Sequence, residues 1–340
     1  MLLAILFLLY LGIIFLVRLP SYTLETTGKL YVVNKVSRTV QVIDLRNGKQ
    51  VAEIPIAMES HEVVTTNGEN SLVLTNYGAE DSQGNVLKVI NTKKDHIEKT
   101  ITLHESISVN GICSLTTPDQ VALVDYANSA VLLLNLQTGH IEQKWHTQQK
   151  GSHLVARHPT KPLVYVTSNQ SKSVSVINME AKEAVKSIPC GRNTESIAVT
   201  PDGQEIWATN KENASIMVID ATAQIVTDTL STGVEPLKIA FSVDGKYALV
   251  TNAMDGNIFV YDRWSRARVK TVQLHGKTTI LERVLYHTPY PVNILMHPNG
   301  LYAFISNSNA NKVEVLDMNS FEIVSTLGTG KIPDALAFIE

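Results

Sequence analysis

A short apolar strand signal ending in a small polar residue recurs seven times along the 340-residue chain, and its spacing leaves few folds open. Leu30-Tyr31-Val32-Val33-Asn34 returns as Leu72-Val73-Leu74-Thr75-Asn76 and as Ala122-Leu123-Val124-Asp125. It recurs as Tyr165-Val166-Thr167-Ser168, Trp207-Ala208-Thr209-Asn210, Leu249-Val250-Thr251-Asn252 and Phe304-Ile305-Ser306-Asn307. Successive copies of the Asn34 position lie 42, 49, 43, 42, 42 and 55 residues apart. A second element follows each copy and ends on Asp or Asn, ten residues on in six of the seven repeats. Within it, Thr39-Val40-Gln41-Val42-Ile43-Asp44 and Ser173-Val174-Ser175-Val176-Ile177 alternate polar and apolar residues, the period of a strand. Hairpin punctuation falls at Asn47-Gly48, Asp202-Gly203, Asp244-Gly245 and Asn299-Gly300. Four short strands every 42 or so residues is the size of a propeller blade.

Phasing the strands fixes the closure. With the strands of a blade labelled A to D outward from the axis, B strands are predicted near 30, 71, 121, 163, 205, 247 and 302. A strands are predicted near 61, 110, 153, 195, 237, 292 and 334. The series opens on a B strand and ends on an A strand, so 334–339 must complete the sheet begun by 30–56. Joining the two chain ends in one blade leaves no inner edge exposed. The expectation is an all-β, seven-bladed β-propeller over 29–340, after a linker at 21–28.

Residues 1–20 differ from all that follows. Leu2 to Val17 is an unbroken apolar run of 16 residues closed by Arg18 and Pro20. A bilayer span takes roughly 20 residues, whereas a signal-peptide core takes about 7–15. Without an Ala-x-Ala cleavage site, the run reads as one uncleaved transmembrane helix, with a signal sequence as the alternative. Arg18, Lys29, Lys35 and Arg38 all follow it, which by the positive-inside rule favours a cytoplasmic body.

The hydrophobic content of 44% and charged content of 18% suit a packed, monomeric propeller body. A net charge of −3, with no basic run longer than Lys93-Lys94, argues against a nucleic-acid partner. Cys113 and Cys190 fall in non-neighbouring repeats, so no disulfide is expected between them. Cys113 is expected to be buried and Cys190 to lie near a loop.

The Tyr-Val-x-Asn-like strands, Val42-Ile43-Asp44 and Thr200-Pro201-Asp202-Gly203 together resemble the YVTN-repeat seven-bladed propellers, including surface-layer types. Lactonase-type propellers and the propeller subunits of amine dehydrogenases and nitrite reductases are more distant relatives of that family. The resemblance spans residues 29–340 and implies the fold. Because such relatives are mostly exported, it also implies a body on the periplasmic or extracellular side of the membrane, against the charge argument.

Insertions cluster on one face of the expected ring, where B-to-C and D-to-A connections emerge. They are Gly78 to Asn85, His104 to Val109, and His275 to Pro291, the last offering Tyr286, His287 and Tyr290 to a ligand or partner. A short helix is expected at 279–285. On the same face, the predicted A strands begin with His61, Asn110, His153, Glu195, Leu237, Val292 and Asp334. Five of these seven are polar, forming a candidate ligand-binding channel mouth. His61 and His153 with the carboxylates would suit a divalent metal, or would serve as acid and base. The alternative is a water-filled channel; no other cofactor is expected. Arg157, Arg192 and Lys238 lie near the A strands and would attract an anion. The repeated Asn residues are expected to bond the backbone at the B-to-C bends. Two functions stay open: a membrane-anchored binding or scaffold module for a protein or small ligand, or an enzyme such as a lactone hydrolase or redox-complex subunit.

Overall fold

The structure, a computed structural model, describes residues 22, 24–66, 70–76, 78, 84–181, 185–276 and 288–340. The apolar run 2–17, most of the 78–85 insertion, the expected helix at 279–285, and Tyr286 and His287 lie outside them. Among the described residues, twenty-eight strands form seven four-stranded antiparallel sheets, which makes the chain a seven-bladed all-β propeller. Among the same residues, no helix is long and apolar enough to cross a membrane.

The ring closes as the strand phasing requires. Pro333–Ile339 is the innermost strand of the first blade and pairs with Lys29–Asn34, from Lys29 opposite Ile339 to Asn34 opposite Pro333. In the other six blades the A strands are Ser60–Thr65, Val109–Ser114, Ser152–Arg157, Thr194–Val199, Pro236–Phe241 and Pro291–Met296. Each starts one residue earlier than the alternation suggested.

The repeated Asp or Asn at the end of every C strand has a single structural job. In each blade its side-chain oxygen accepts the backbone N–H two residues on, as Asp44 does from Arg46 and Asp262 from Trp264. Asn91, Asn135, Asn178, Asp220 and Asp317 repeat the turn. At the A-to-B turns, Gly203 and Gly245 adopt φ of +72° and +71°, where a side chain would be strained.

The core lies between blades rather than inside one sheet. Leu30, Val32 and Phe338 of the first blade pack on Phe304, Val313 and Val315 of the seventh, and Tyr31, Val33 and Ala337 pack on Leu72 and Leu74 of the second. Both cysteines are buried free thiols, and burial pushes each up to about 12. Cys190 thus sits within the core despite following directly on a strand end.

Candidate functional site

Each A strand opens on a register shift against its B strand, for example between Ser60 and Val63, Ser152 and Val155, and Thr194 and Ile197. Such a bulge breaks the two-residue alternation and re-aims side chains. Successive residues therefore both reach the channel mouth: His61 with Glu62, His153 with Leu154, and Leu237 with Lys238 all line one cavity of ≈ 310 Å³. Glu195 and Asp334 line the same cavity. Four of the five polar residues expected at the mouth thus converge, although they come from four different blades. Asn110 does not join them. It is buried and faces an adjoining cavity of ≈ 300 Å³, which shares His153 as its wall.

Two histidine–carboxylate pairs dominate the site, and they differ. His61 Nδ1 lies 2.6 Å from Asp334 Oδ2, a charge-assisted hydrogen bond between the second and first blades. The Asp334 carboxylate raises the His61 imidazole above its ordinary range against the opposing effect of burial. His153 Nδ1 is 3.7 Å from Glu195 Oε1, too far for a hydrogen bond. Among the described residues that nitrogen makes no well-formed hydrogen bond, although the Glu195 backbone lies close enough to favour the charged ring and the side chain is only 9% exposed. Burial, with repulsion from His61, holds His153 below the ordinary range, so at neutral pH it is a neutral ring with an unmet polar atom.

Lys238 and Tyr290, singled out in the sequence, join the site together with Lys35, Glu62 and Lys211, which were not. Lys238 Nζ reaches Glu62 Oε1 at 3.3 Å, bridging the A strands of the sixth and second blades across the channel. Lys211 Nζ bonds Glu235 Oε1 at 2.7 Å, and Tyr290 donates its hydroxyl to the same oxygen at 3.0 Å. Burial and Glu235 push the Tyr290 phenol up to about 12, so it stays a donor. Lys35 also lines the cavity. Adjacent polar residues at 61–62 were the available signal for Glu62, but only the bulge explains why both face inward. Arg157 lines a separate cavity at the other end of its strand, and so is no part of this site.

Among the described residues, no group of three or more His, Cys, Asp and Glu side chains is placed to hold a metal. The recurring Asn residues are structural, but most bond side chains rather than the local backbone. Asn34 donates to Thr39 Oγ1, Asn252 to Asn257 Oδ1, and Asn307 to Glu314, tying the B strand to the C strand; Asn76 alone among these accepts a local N–H, from Gly78.

The His61–Asp334 pair has a testable pH signature. A histidine raised by a partner stabilises the fold fully below its unfolded value of about 6.5, and that contribution is lost as pH rises through the higher folded value. Asp334→Asn is therefore expected to cost about 2 kcal/mol at pH 5.5 and distinctly less at pH 9. Denaturant titrations at the two pH values check this; an equal loss at both would show that His61 does not carry the effect.

A family model described as "Lactonase, 7-bladed beta-propeller" matches residues 113–277. The match takes in His153, Glu195 and Lys238, and leaves His61 and Asp334 outside. No curated protein matches the chain. A hydrazine synthase structure from Kuenenia stuttgartiensis superposes with a TM-score of 0.70 at 14% identity, over 81% of this chain and 88% of that one. A functionally unknown protein from Desulfotomaculum acetoxidans superposes with a TM-score of 0.74 at 16% identity, over 92% of this chain and 99% of that one. At such identities the shared property is the propeller itself.

Proposed function

We propose that the chain is a binding propeller, exported and membrane-anchored, that takes a small polar ligand into the cavity at the link-bearing mouth of its channel. One observation carries the reading: among the described residues His153 Nδ1 is buried beside that cavity without a well-formed hydrogen bond. An unpaired buried polar group costs roughly 1–3 kcal/mol, so such atoms are retained where a ligand satisfies them. The charges around it define the ligand class. Lys35, Lys211 and Lys238 supply cationic donors, while Glu62, Glu195 and Asp334 supply acceptors. A small molecule bearing a carboxylate together with hydroxyl or amine groups meets both sets.

The test exploits the conflict between stability and binding. His153→Leu removes the unmet atom and is expected to leave the free protein as stable as the native chain or more so. Thermal shifts against a panel of small hydroxy acids, amino acids and lactones are expected to register at least one stabilising ligand for the native chain and none for the variant. A panel that stabilises both equally would sink the proposal.

The lactonase-type match favours a second reading, hydrolysis of a lactone at the same mouth. A carboxylate bonded to Nδ1 orients the imidazole so that Nε2 can act as base. His61 Nε2 would take a proton from water as the water oxygen bonds to the lactone carbonyl carbon. The ring C–O bond then breaks, and the departing alkoxide takes the proton back, giving the hydroxy acid. Turnover in the same panel that is lost in His61→Asn would favour this reading; binding without turnover would remove it.

A further inference from the structure

The described chain begins by crossing one face of the propeller, and this bears on how the body meets a bilayer. Tyr22 donates its hydroxyl to the Leu45 carbonyl, and its ring covers Gly48 so closely that no Cβ would fit there. Leu24 is buried among Leu30, Val32, Ile43 and Phe338. Thr26 Oγ1 is 2.9 Å from His297 Nε2. Leu45, Gly48 and His297 all sit at C-to-D or A-to-B turns, so Tyr22, Leu24 and Thr26 are fastened to the turn face. The channel-mouth cavity opens on the opposite face, about 20 Å away across six-residue strands.

Only Arg18, Leu19, Pro20 and Ser21 separate the apolar run 2–17 from Tyr22. Fully extended, they reach roughly 18 Å. A membrane segment at 2–17 therefore cannot pass around the ring to the cavity side. The turn face also has the chemistry of an interfacial surface. Trp264 is 64% exposed at a C-to-D turn, and Val243 and Leu301 are exposed at A-to-B turns. Lys49, Lys93 and Lys94 are exposed at the C-to-D turns of the first two blades. Those blades adjoin at this edge, where Lys29 Nζ bonds Asp95 at 2.6 Å. Aromatic rings and basic side chains are the residue types that settle at a phospholipid surface.

We propose that the turn face is a docking surface for the phospholipid bilayer that holds residues 2–17, so that the channel-mouth site opens away from the membrane. This rests on the anchor reading of 2–17 and not on what the cavity binds. The turn face lies flat on the headgroups, with Trp264 and the lysines at the interface, while ligand reaches the site from bulk solvent.

The native thiols are buried, so single added cysteines can be labelled selectively in the full chain. Lys49→Cys on the turn face and Val234→Cys beside the cavity would each carry a fluorophore in vesicles of phosphatidylcholine and phosphatidylglycerol. Nitroxide-bearing lipid is expected to quench the Lys49→Cys probe several-fold more than the Val234→Cys probe, and aqueous iodide is expected to show the reverse order. Equal lipid quenching, preferential quenching at Val234→Cys, or none at either site would overturn the proposal. So would a turn-face probe shielded from iodide but untouched by lipid, since a protein rather than a bilayer would then cover that face.

Discussion

A chain shortened to end at Ile332 is expected to lose its cooperative unfolding transition and to aggregate. The missing strand, Pro333–Ile339, has all seven residues buried and is the innermost strand of the first blade. Its residues serve two interfaces at once. Ala335, Ala337 and Ile339 belong to the cluster shared with the second blade, while Leu336 and Phe338 belong to the cluster shared with the seventh. Burying a large apolar side chain contributes about 1.5–3 kcal/mol. Leu336, Phe338 and Ile339 alone thus contribute an amount comparable to the whole of a typical domain's net stability, about 5–15 kcal/mol. The loss also bares Lys29–Asn34 as an inner edge strand, an open template for intermolecular pairing. Circular dichroism melts and size-exclusion profiles check the outcome beside Phe338→Ala, which keeps the strand and is expected to cost about 3–5 kcal/mol without loss of cooperativity. A truncated chain that melts cooperatively within a few degrees of the full chain would show that the ring does not need this closure.

Closure could be read from the sequence because it depends only on strand order, and order follows from period and phase. The A-strand residues align for the same reason, which is why the repeat alone places His61, His153, Glu195 and Asp334 at equivalent positions. What could not be read depends on quantities that period-two patterning does not encode. Alternation assigns Glu62 and Lys238 to the opposite side of their strands from His61 and Leu237. The bulge at each strand start cancels that alternation, and the two charges meet across the channel 3.3 Å apart. Asn110 failed in the converse way. Its ring position is right, but local burial turns it into the neighbouring cavity. The lowered His153 imidazole was equally invisible, because its burial and the repulsion from His61 exist only in the closed ring. Propeller sites are assembled from single residues of many repeats, so the repeat reveals where a site sits more readily than which atoms it leaves unpaired.

Arg263→Ala is expected to cost about 3 kcal/mol. The side chain is 5% exposed and joins the fifth and sixth blades at the turn face. Its Nη1 and Nη2 hold both oxygens of Asp202 at 2.7 and 3.1 Å, and its Nε reaches Glu205 Oε2 at 3.1 Å. Burial alone would push Asp202 up, yet the bonds from Arg263 and Thr200 hold it at about 2. Breaking a buried pair from one side typically costs about 3–5 kcal/mol, because the surviving charge is left uncompensated. Two features place this case at the lower end. Asp202 is 41% exposed and can rehydrate, and Glu205 keeps Arg266 and the Trp207 indole N–H at 3.0 Å. Arg263→Lys separates charge from geometry: an ammonium is a point donor that cannot hold two carboxylates in the planar fork. It is expected to lose about half as much as Arg263→Ala. Urea midpoints at unchanged slope measure both variants. If Arg263→Lys proved as stable as the native chain, charge alone would suffice and the bidentate geometry would contribute nothing.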